Sequence, residues 1–198
     1  LFLIGYSGYS RKNDLPKSMY RAALSIELLH DFLLIHDDVI DKSALRRGKP
    51  TLHKLFNARL GERPASVFGD GLAIVAADMV YALATEALLY AGAPPERKEK
   101  ALRALIKAAL VTGAGEFVDV VNGSKPLARI TLRDVYMTYD LKTAEYTFIC
   151  PLVMGAVLAG AGDGELGRLS ALGLKLGRAF QIQDDLLDMF SSKKDIGK

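Results

Sequence analysis

The chain reads LSIELLHDFLLIHDDVID from residue 24 to residue 41, and this stretch decides the fold. Leu24, Leu28, Ile35 and Val39 recur at spacings of four and seven residues, which is the spacing of one helix face. The stretch therefore predicts a long α-helix with an apolar stripe and a polar end.

Three carboxylates crowd the end of this predicted helix. Asp37 and Asp41 are four residues apart and point the same way, while Asp38 lies about 100° round the helix. His30 precedes Asp37 by seven residues, on the same line. Like charges at this spacing repel and cost helix stability, so packing does not explain them. The sequence therefore predicts a functional site at this end of the helix.

A second acidic face lies near the end of the chain. Gln181, Asp184, Asp185 and Asp188 fall at positions i, i+3, i+4 and i+7, which is one face of a helix. The neighbouring Leu186 points elsewhere. Like the first stretch, the second places a pair of carboxylates one turn apart on one helix face.

Both acidic faces favour a hard metal ion. Oxygen ligands without His or Cys suit Mg²⁺, which is usually held by one or two carboxylates and by substrate phosphates. Two such faces in one cavity suit a diphosphate that several Mg²⁺ ions hold. The alternative, two solvated acidic helix faces, explains either motif alone about as well and the pair much less well.

Basic residues lie between the two acidic faces in the sequence. Arg46 and Arg47 follow the first face after a short loop, and their guanidinium groups could bind two separate diphosphates. Lys142 and Thr143 stand where a helical stretch ends among apolar neighbours. Taken alone, the arginine pair is an ordinary basic loop; beside the aspartates it predicts phosphate binding.

The composition excludes several classes of protein. The 198 residues are half apolar with a net charge of +3, which is globular and gives no basic stripe for nucleic acid. The single cysteine, Cys150, rules out an internal disulfide framework and fits a reducing, cytoplasmic setting. No signal peptide is visible. Two very apolar stretches, 71–93 and 147–162, are predicted to be helices buried in a bundle, not membrane spans.

The rest of the chain predicts one all-helical domain, residues 1–198. Helix-forming residues dominate, and breaks are expected at 10–16, 46–51, 61–64, 92–95, 122–128 and 160–164. A helix is expected to begin at Thr131 and Asp134, and another to run from 165 to 190. Because Leu1 lies inside an apolar run, segments before it and after Lys198 are expected to be missing.

The motifs resemble those of the trans-isoprenyl diphosphate synthases, most closely the archaeal-type geranylgeranyl diphosphate synthases. The resemblance rests on motifs that follow the family's order along essentially the whole chain: 34–41, 46–53, Gly69-Asp70, Gly115 with Asp119, Lys142-Thr143, and Gln181 with Asp184, Asp185 and Asp188. It implies an all-α bundle around a deep central cavity, usually in a homodimer.

The resemblance also implies residue roles. Asp37, Asp41 and Asp184 would be the main Mg²⁺ ligands, with three ions per site when substrate is bound. The other motif aspartates, Asp38, Asp185 and Asp188, would lie in the same metal sites. Groups facing the allylic diphosphate would be Arg46, Lys142 and Gln181. Groups facing isopentenyl diphosphate would be Arg47 and His30. The reaction zone would be supported by Asp119 and Thr143, beside Lys142 and Gln181, and lined by Tyr146, with Lys198 in a lid.

The implied reaction is head-to-tail condensation of isopentenyl diphosphate with an allylic diphosphate (dimethylallyl, geranyl or farnesyl). Phe32 and Leu33, just before Asp37, would form the floor under the growing chain. One aromatic residue at the earlier position favours a C20 product, geranylgeranyl diphosphate, although Phe32 could also be simple core packing. Alternatives are a farnesyl diphosphate synthase, a class I terpene cyclase and a non-catalytic subunit of a heteromeric synthase.

The chain departs from the family pattern in three places. An upstream Gly-Lys-Arg segment that binds isopentenyl diphosphate is not in the sequence. Glu116 stands where the family often has Gln, which leaves a second negative charge unexplained. Residues 191–198 resemble the family's mobile loop poorly and look shortened or spliced.

Overall fold

The computed structural model of the chain describes residues 1–11, 15–60 and 65–190, and it is almost entirely helical. The helices in chain order are α1 Phe2–Tyr9, α2 Lys17–Ile40, α3 Leu52–Leu60, α4 Ala65–Leu89, α5 Pro95–Gly123, α6 Leu132–Thr138, a π-helical segment Tyr139–Ile149, α7 Cys150–Ala159 and α8 Asp163–Phe190. A short 3₁₀ turn, Leu127–Arg129, precedes α6. The all-α prediction is confirmed.

Most of the predicted helix boundaries are confirmed. α2 begins after Pro16, and α6 begins with a capping box in which Thr131 and Asp134 bond each other's backbone amides. α7 ends at Gly160, whose φ of 99° is a left-handed conformation that favours glycine. The break expected at 61–64 lies outside the described residues.

Three local expectations were wrong. Residues 46–51 are not a plain loop, because a two-residue antiparallel ladder pairs β1, Leu45–Arg46, with β2, Lys49–Pro50. Asn122 belongs to the last turn of α5 instead of a loop. Lys142 and Thr143 do not end a helix, since α6, the π segment and α7 form one continuous rod, Leu132–Ala159.

The buried face of α2 is also displaced from the predicted stripe. Leu24 is 53% exposed, whereas Met19, Ala22, Ser25 and Leu29 are fully buried. α2 packs mainly along α4, and small residues on α4 let the two helices approach closely. The buried residues recur at spacings of three and four, so the inner face is a helical stripe rotated from the predicted one.

The core joins α1, α2, α4, α5 and α7. Its largest fully buried side chains include Met19, Leu29, Leu88, Leu105 and Met154. Cys150 is buried in the same core, as predicted, and burial raises the pKa of its thiol. The core fixes the rod that carries Lys142 against its neighbours.

The two apolar stretches behave differently. Phe68–Leu89 and Leu132–Ala159 are both long and apolar enough to cross a membrane by length and composition. Within an apolar stretch of 18 residues in the second helix, 56% of the residues are buried in the chain, as predicted, but only 22% are buried in the corresponding stretch of the first. Val75, Met79 and Leu83, at helical spacing on α4, are exposed. The expectation that the first stretch is buried within this chain was therefore wrong, and the absence of a membrane span stays a prediction.

Glycines set how closely the rod is held by α5 and α8. A Cβ on Gly115 of α5 would lie 2.5 Å from the backbone nitrogen of Lys142. A Cβ on Gly177 of α8 would collide with Ala144. Because both contacts meet the π segment on opposite sides, α5, the π segment and α8 form the close-packed layer that carries the candidate site.

Candidate active site

The first acidic face is tied to the hairpin that follows it. Arg46 donates from Nε to Asp38 Oδ1 at 2.8 Å and from Nη2 to Asp37 Oδ2 at 2.7 Å. Asp38 is 6% exposed, so this guanidinium is its main compensation. Burial alone would lower the pKa of Arg46, but the hydrogen bonds and charges of Asp38 and Asp37 raise it. The hairpin thus folds an always-charged group back onto the helix end.

Lys142 links three elements of the fold. Its Nζ lies 2.8 Å from Glu116 Oε2, 2.8 Å from Asp119 Oδ2 and 3.1 Å from Asp37 Oδ1. Burial opposes its charge, but these carboxylates raise the pKa of Lys142 well above its usual range. The ammonium group is therefore charged at any physiological pH and joins α2, α5 and the π segment.

The negative charge around Lys142 is incompletely balanced. Burial and then the charge of Asp37 raise the pKa of Asp41. Burial also raises the pKa of Glu116, although Lys142 opposes the shift. Glu116 Oε1 is buried without a hydrogen-bond partner among the described residues. A cation bound beside Asp41 and Glu116 would stabilise the charged form of both carboxylates.

Residues of the π segment donate hydrogen bonds to the second acidic face. Thr143 donates to Gln181 Oε1 at 2.7 Å, and Gln181 Nε2 donates to Asp185 Oδ1 at 2.9 Å. The hydroxyl of Tyr139 donates to the other oxygen, Oδ2, of Asp185. Burial and this hydrogen bond raise the pKa of Tyr139 to about 12, so the phenol keeps its proton. Asp184 is exposed one residue before Asp185.

One cavity joins the lysine to the second face. It has a volume of about 230 Å³, and its lining includes Lys142, Thr143, Gln181, Asp185 and Asp119. Since Lys142 also contacts Asp37, both acidic stretches converge on this cavity through a single ammonium group.

The two residues expected to face isopentenyl diphosphate, His30 and Arg47, are close enough for the charge of Arg47 to act on His30. His30 stacks on Tyr146, with ring centroids 5.8 Å apart. Burial lowers the pKa of His30, and the positive charge of Arg47 adds a smaller effect in the same direction. Arg47 is exposed at the hairpin turn with φ of 52°, beside Gly48 at 74°.

The two residues expected to limit product length both pack against the hydrophobic core. Phe32 also contacts His36 and Tyr81, with ring centroids 4.8 and 5.0 Å apart. Through Phe32, five residues before Asp37, this aromatic cluster joins α2 to α4.

The donors fit Mg²⁺ bound together with a diphosphate better than an all-protein metal cage. Across residues 1–11, 15–60 and 65–190, no three acidic, histidine or cysteine side chains stand close enough to hold one ion. Asp37 and Asp41, one turn apart, offer hard oxygen donors with excess negative charge. Mg²⁺ sites of this kind complete their coordination with water and phosphate oxygens.

Comparison with known proteins decides the family. The polyprenyl synthetase family model matches residues 2–198. The chain belongs to the polyprenyl synthetase family. The family resemblance drawn from the motifs is thereby confirmed.

Relatives within the polyprenyl synthetases carry several product names. The chain is 35% identical to a geranylfarnesyl diphosphate synthase of Natronomonas pharaonis, over 89% of the chain and 48% of that protein. It is 33% identical to a geranylgeranyl diphosphate synthase of Sulfolobus acidocaldarius, over 90% of the chain and 50% of the relative. The chain thus spans about half the length of these curated relatives.

A solved structure of the family shows the same fold. A geranylgeranyl pyrophosphate synthase from Corynebacterium glutamicum, complexed with isoprenyl diphosphate and magnesium, superposes with a TM-score of 0.87 at 31% identity. The match covers 100% of the chain and 56% of that structure. The isoprenoid-synthase type of helical bundle is therefore confirmed for this chain.

Some of the site was missed at the level of sequence. Lys198 lies outside the described residues, so its expected place in a lid stays a prediction. Tyr139 and the Arg178–Asp140 ion pair, with contacts of 2.6 and 2.7 Å, were not singled out. The spacing could have indicated Tyr139, because it lies four residues before Thr143, just as Gln181 lies four before Asp185.

Proposed function

We propose that this chain forms the main part of a Mg²⁺-dependent short-chain trans-prenyl diphosphate synthase. The observation that carries the proposal is the Lys142 cluster, in which one ammonium group contacts Asp37 and borders the cavity of Gln181 and Asp185. The substrates would be isopentenyl diphosphate and an allylic diphosphate, as the resemblance of the motifs to the family implies.

Positive side chains give the site its affinity for diphosphates. Arg46 and Lys142 both contact Asp37 of the first acidic face and carry charge that a departing diphosphate needs. Arg47, exposed on the hairpin beside His30, would hold the second diphosphate. When bound, Mg²⁺ would neutralise charge that builds on the leaving diphosphate. Tyr146, packed beside the core, would help to keep water from the reacting carbon.

We favour a C20 product, geranylgeranyl diphosphate, with farnesyl diphosphate as the alternative. The position of Phe32, five residues before Asp37 and in contact with Tyr81, supports a floor that an aromatic cluster forms. Relatives named for farnesyl, geranylgeranyl and geranylfarnesyl products all match the chain, so the floor is the place to test product length.

We also propose that the enzyme is a cytoplasmic homodimer. The exposed apolar face of α4, with Val75, Met79 and Leu83, supports a second copy as its cover. Light scattering should give twice the mass of the monomer, and the Met79→Glu variant should have a lower measured mass. A monomer that instead partitions into lipid vesicles would contradict the dimer and the cytoplasmic setting.

The reaction is tested with labelled isopentenyl diphosphate, an allylic primer and Mg²⁺. Wild-type protein should yield longer linear prenyl diphosphates, and Asp37→Ala and Asp184→Ala should each reduce the rate by orders of magnitude. Asp163→Ala, at the far end of α8, serves as a matched control and should leave the rate unchanged. Cyclic hydrocarbons would favour a terpene cyclase, and no turnover would favour a non-catalytic subunit.

A further inference from the structure

Tyr139 and Thr143 form a short ladder with the second acidic face. They lie four residues apart on the π segment, and their partners Asp185 and Gln181 lie four residues apart on α8. The bond between Gln181 Nε2 and Asp185 Oδ1 closes the ladder along α8. The bonds of Tyr139 and Thr143 each tie the π segment to the helix that carries Asp184.

The ladder has only one consistent arrangement of donors. An ionised Asp185 can only accept hydrogen bonds, so the Gln181 amide must turn its nitrogen toward Asp185. Its oxygen then faces Thr143, which donates. The Tyr139 hydroxyl occupies the remaining Asp185 oxygen and so fixes the plane of that carboxylate.

We propose that Tyr139 is a positioning residue that acts through Asp185, orienting the second acidic face and Gln181 toward a bound Mg²⁺–diphosphate. The inference rests on the proposed function. Side chains that hold metal-binding groups in place commonly change metal affinity by about 10- to 100-fold when removed. With both oxygens of Asp185 engaged, its neighbour Asp184 is left to face the ligand.

Tyr136 provides a matched control. Its ring lies edge-on to Tyr139, with centroids 6.1 Å apart, and under the guanidinium of Arg178 at 5.1 Å. Tyr136→Phe removes a neighbouring hydroxyl and keeps the ring and its contact with Arg178. Tyr139→Phe removes only the hydroxyl that reaches Asp185.

The test is calorimetric titration of the full chain with inorganic pyrophosphate in excess Mg²⁺. Tyr139→Phe and Asp185→Ala should each weaken binding about 10- to 100-fold, and Tyr136→Phe should bind as wild type does. The Tyr139→Phe/Asp185→Ala double variant should bind no more weakly than Asp185→Ala, because without the Asp185 carboxylate Tyr139 has no group to act through. In turnover, KM for the allylic diphosphate should rise more than kcat falls.

Each other outcome counts against the inference. Wild-type-like binding by Tyr139→Phe, or additive losses in the double variant, would overturn the role of Tyr139 and leave the proposed function standing. If Tyr139→Phe does not fold, wild-type-like binding by Asp185→Ala would overturn it equally. A wild-type chain that does not bind pyrophosphate with Mg²⁺ would overturn both.

Discussion

Lys142→Met isolates the charge that joins the two acidic faces, because methionine keeps most of the length of lysine and removes the ammonium group. Three carboxylates would then share the site without their common cation. Removing one partner from a fully buried charged cluster costs about 3–5 kcal/mol. Lys142 is 26% exposed and Asp119 is 45% exposed, so water screens part of the loss. We therefore expect the free energy of unfolding to fall by about 2 kcal/mol.

The measurement is urea unfolding followed by circular dichroism, with turnover assayed on the same preparations. Turnover should fall about 10²- to 10³-fold, as when one preorganised charge donor is removed from a reaction site. Lys175→Met, at an exposed position of α8, is the matched control and should change neither quantity. An unfolding free energy within about 0.5 kcal/mol of wild type would refute the electrostatic reasoning, because ordinary surface substitutions vary by that much.

Three further predictions concern the product-length floor on α2 and the packing and charge of α5. Leu33→Phe should shorten the product toward C15 by raising the floor, and chromatography showing an unchanged product would contradict the floor. Gly115→Ala should destabilise the protein by about 1–3 kcal/mol, because its Cβ would meet the Lys142 backbone at 2.5 Å; Gly113→Ala, with open space around it, should stabilise the helix by up to about 1 kcal/mol in the same urea assay. Burial raises the pKa of Glu116, so the stability it contributes is present below about pH 4.3 and is lost as the pH rises through its folded pKa. Glu116→Gln should therefore gain stability over wild type near pH 7.5 but not near pH 4, and an equal difference at both pH values would argue against this shift.

Much of the fold could be predicted because it depends on local signals. The capping box at Thr131, the proline before α2 and the glycine after α7 are short-range features with a direct physical effect on the backbone. The acidic faces could also be identified from the sequence, since packing does not explain carboxylates at helical spacing. These features require no knowledge of the neighbouring helices.

The remainder depends on contacts between distant segments. The inner face of α2 is set by its packing along α4, so Ser25 is buried and Leu24 is exposed. Similarly, the ion pairs of Lys142 depend on Gly115, which lets α5 approach the π segment closely. This approach brings Glu116 and Asp119 to the same ammonium group. The sequence showed that Glu116 replaces the family's usual Gln, but it did not show that Glu116 forms an ion pair with Lys142.

The π segment makes the site more sensitive to insertions and deletions than to many substitutions. Each residue added to or removed from a helix rotates everything beyond it by about 100°. A one-residue deletion between Tyr139 and Ile149 would turn either the Lys142 side or the α7 side of the rod away from its partners. Relatives that keep the motif residues but differ by one residue in this segment would therefore have to rebuild the contacts with α5 and α8. Alignment gaps here would carry more mechanistic meaning than amino-acid changes.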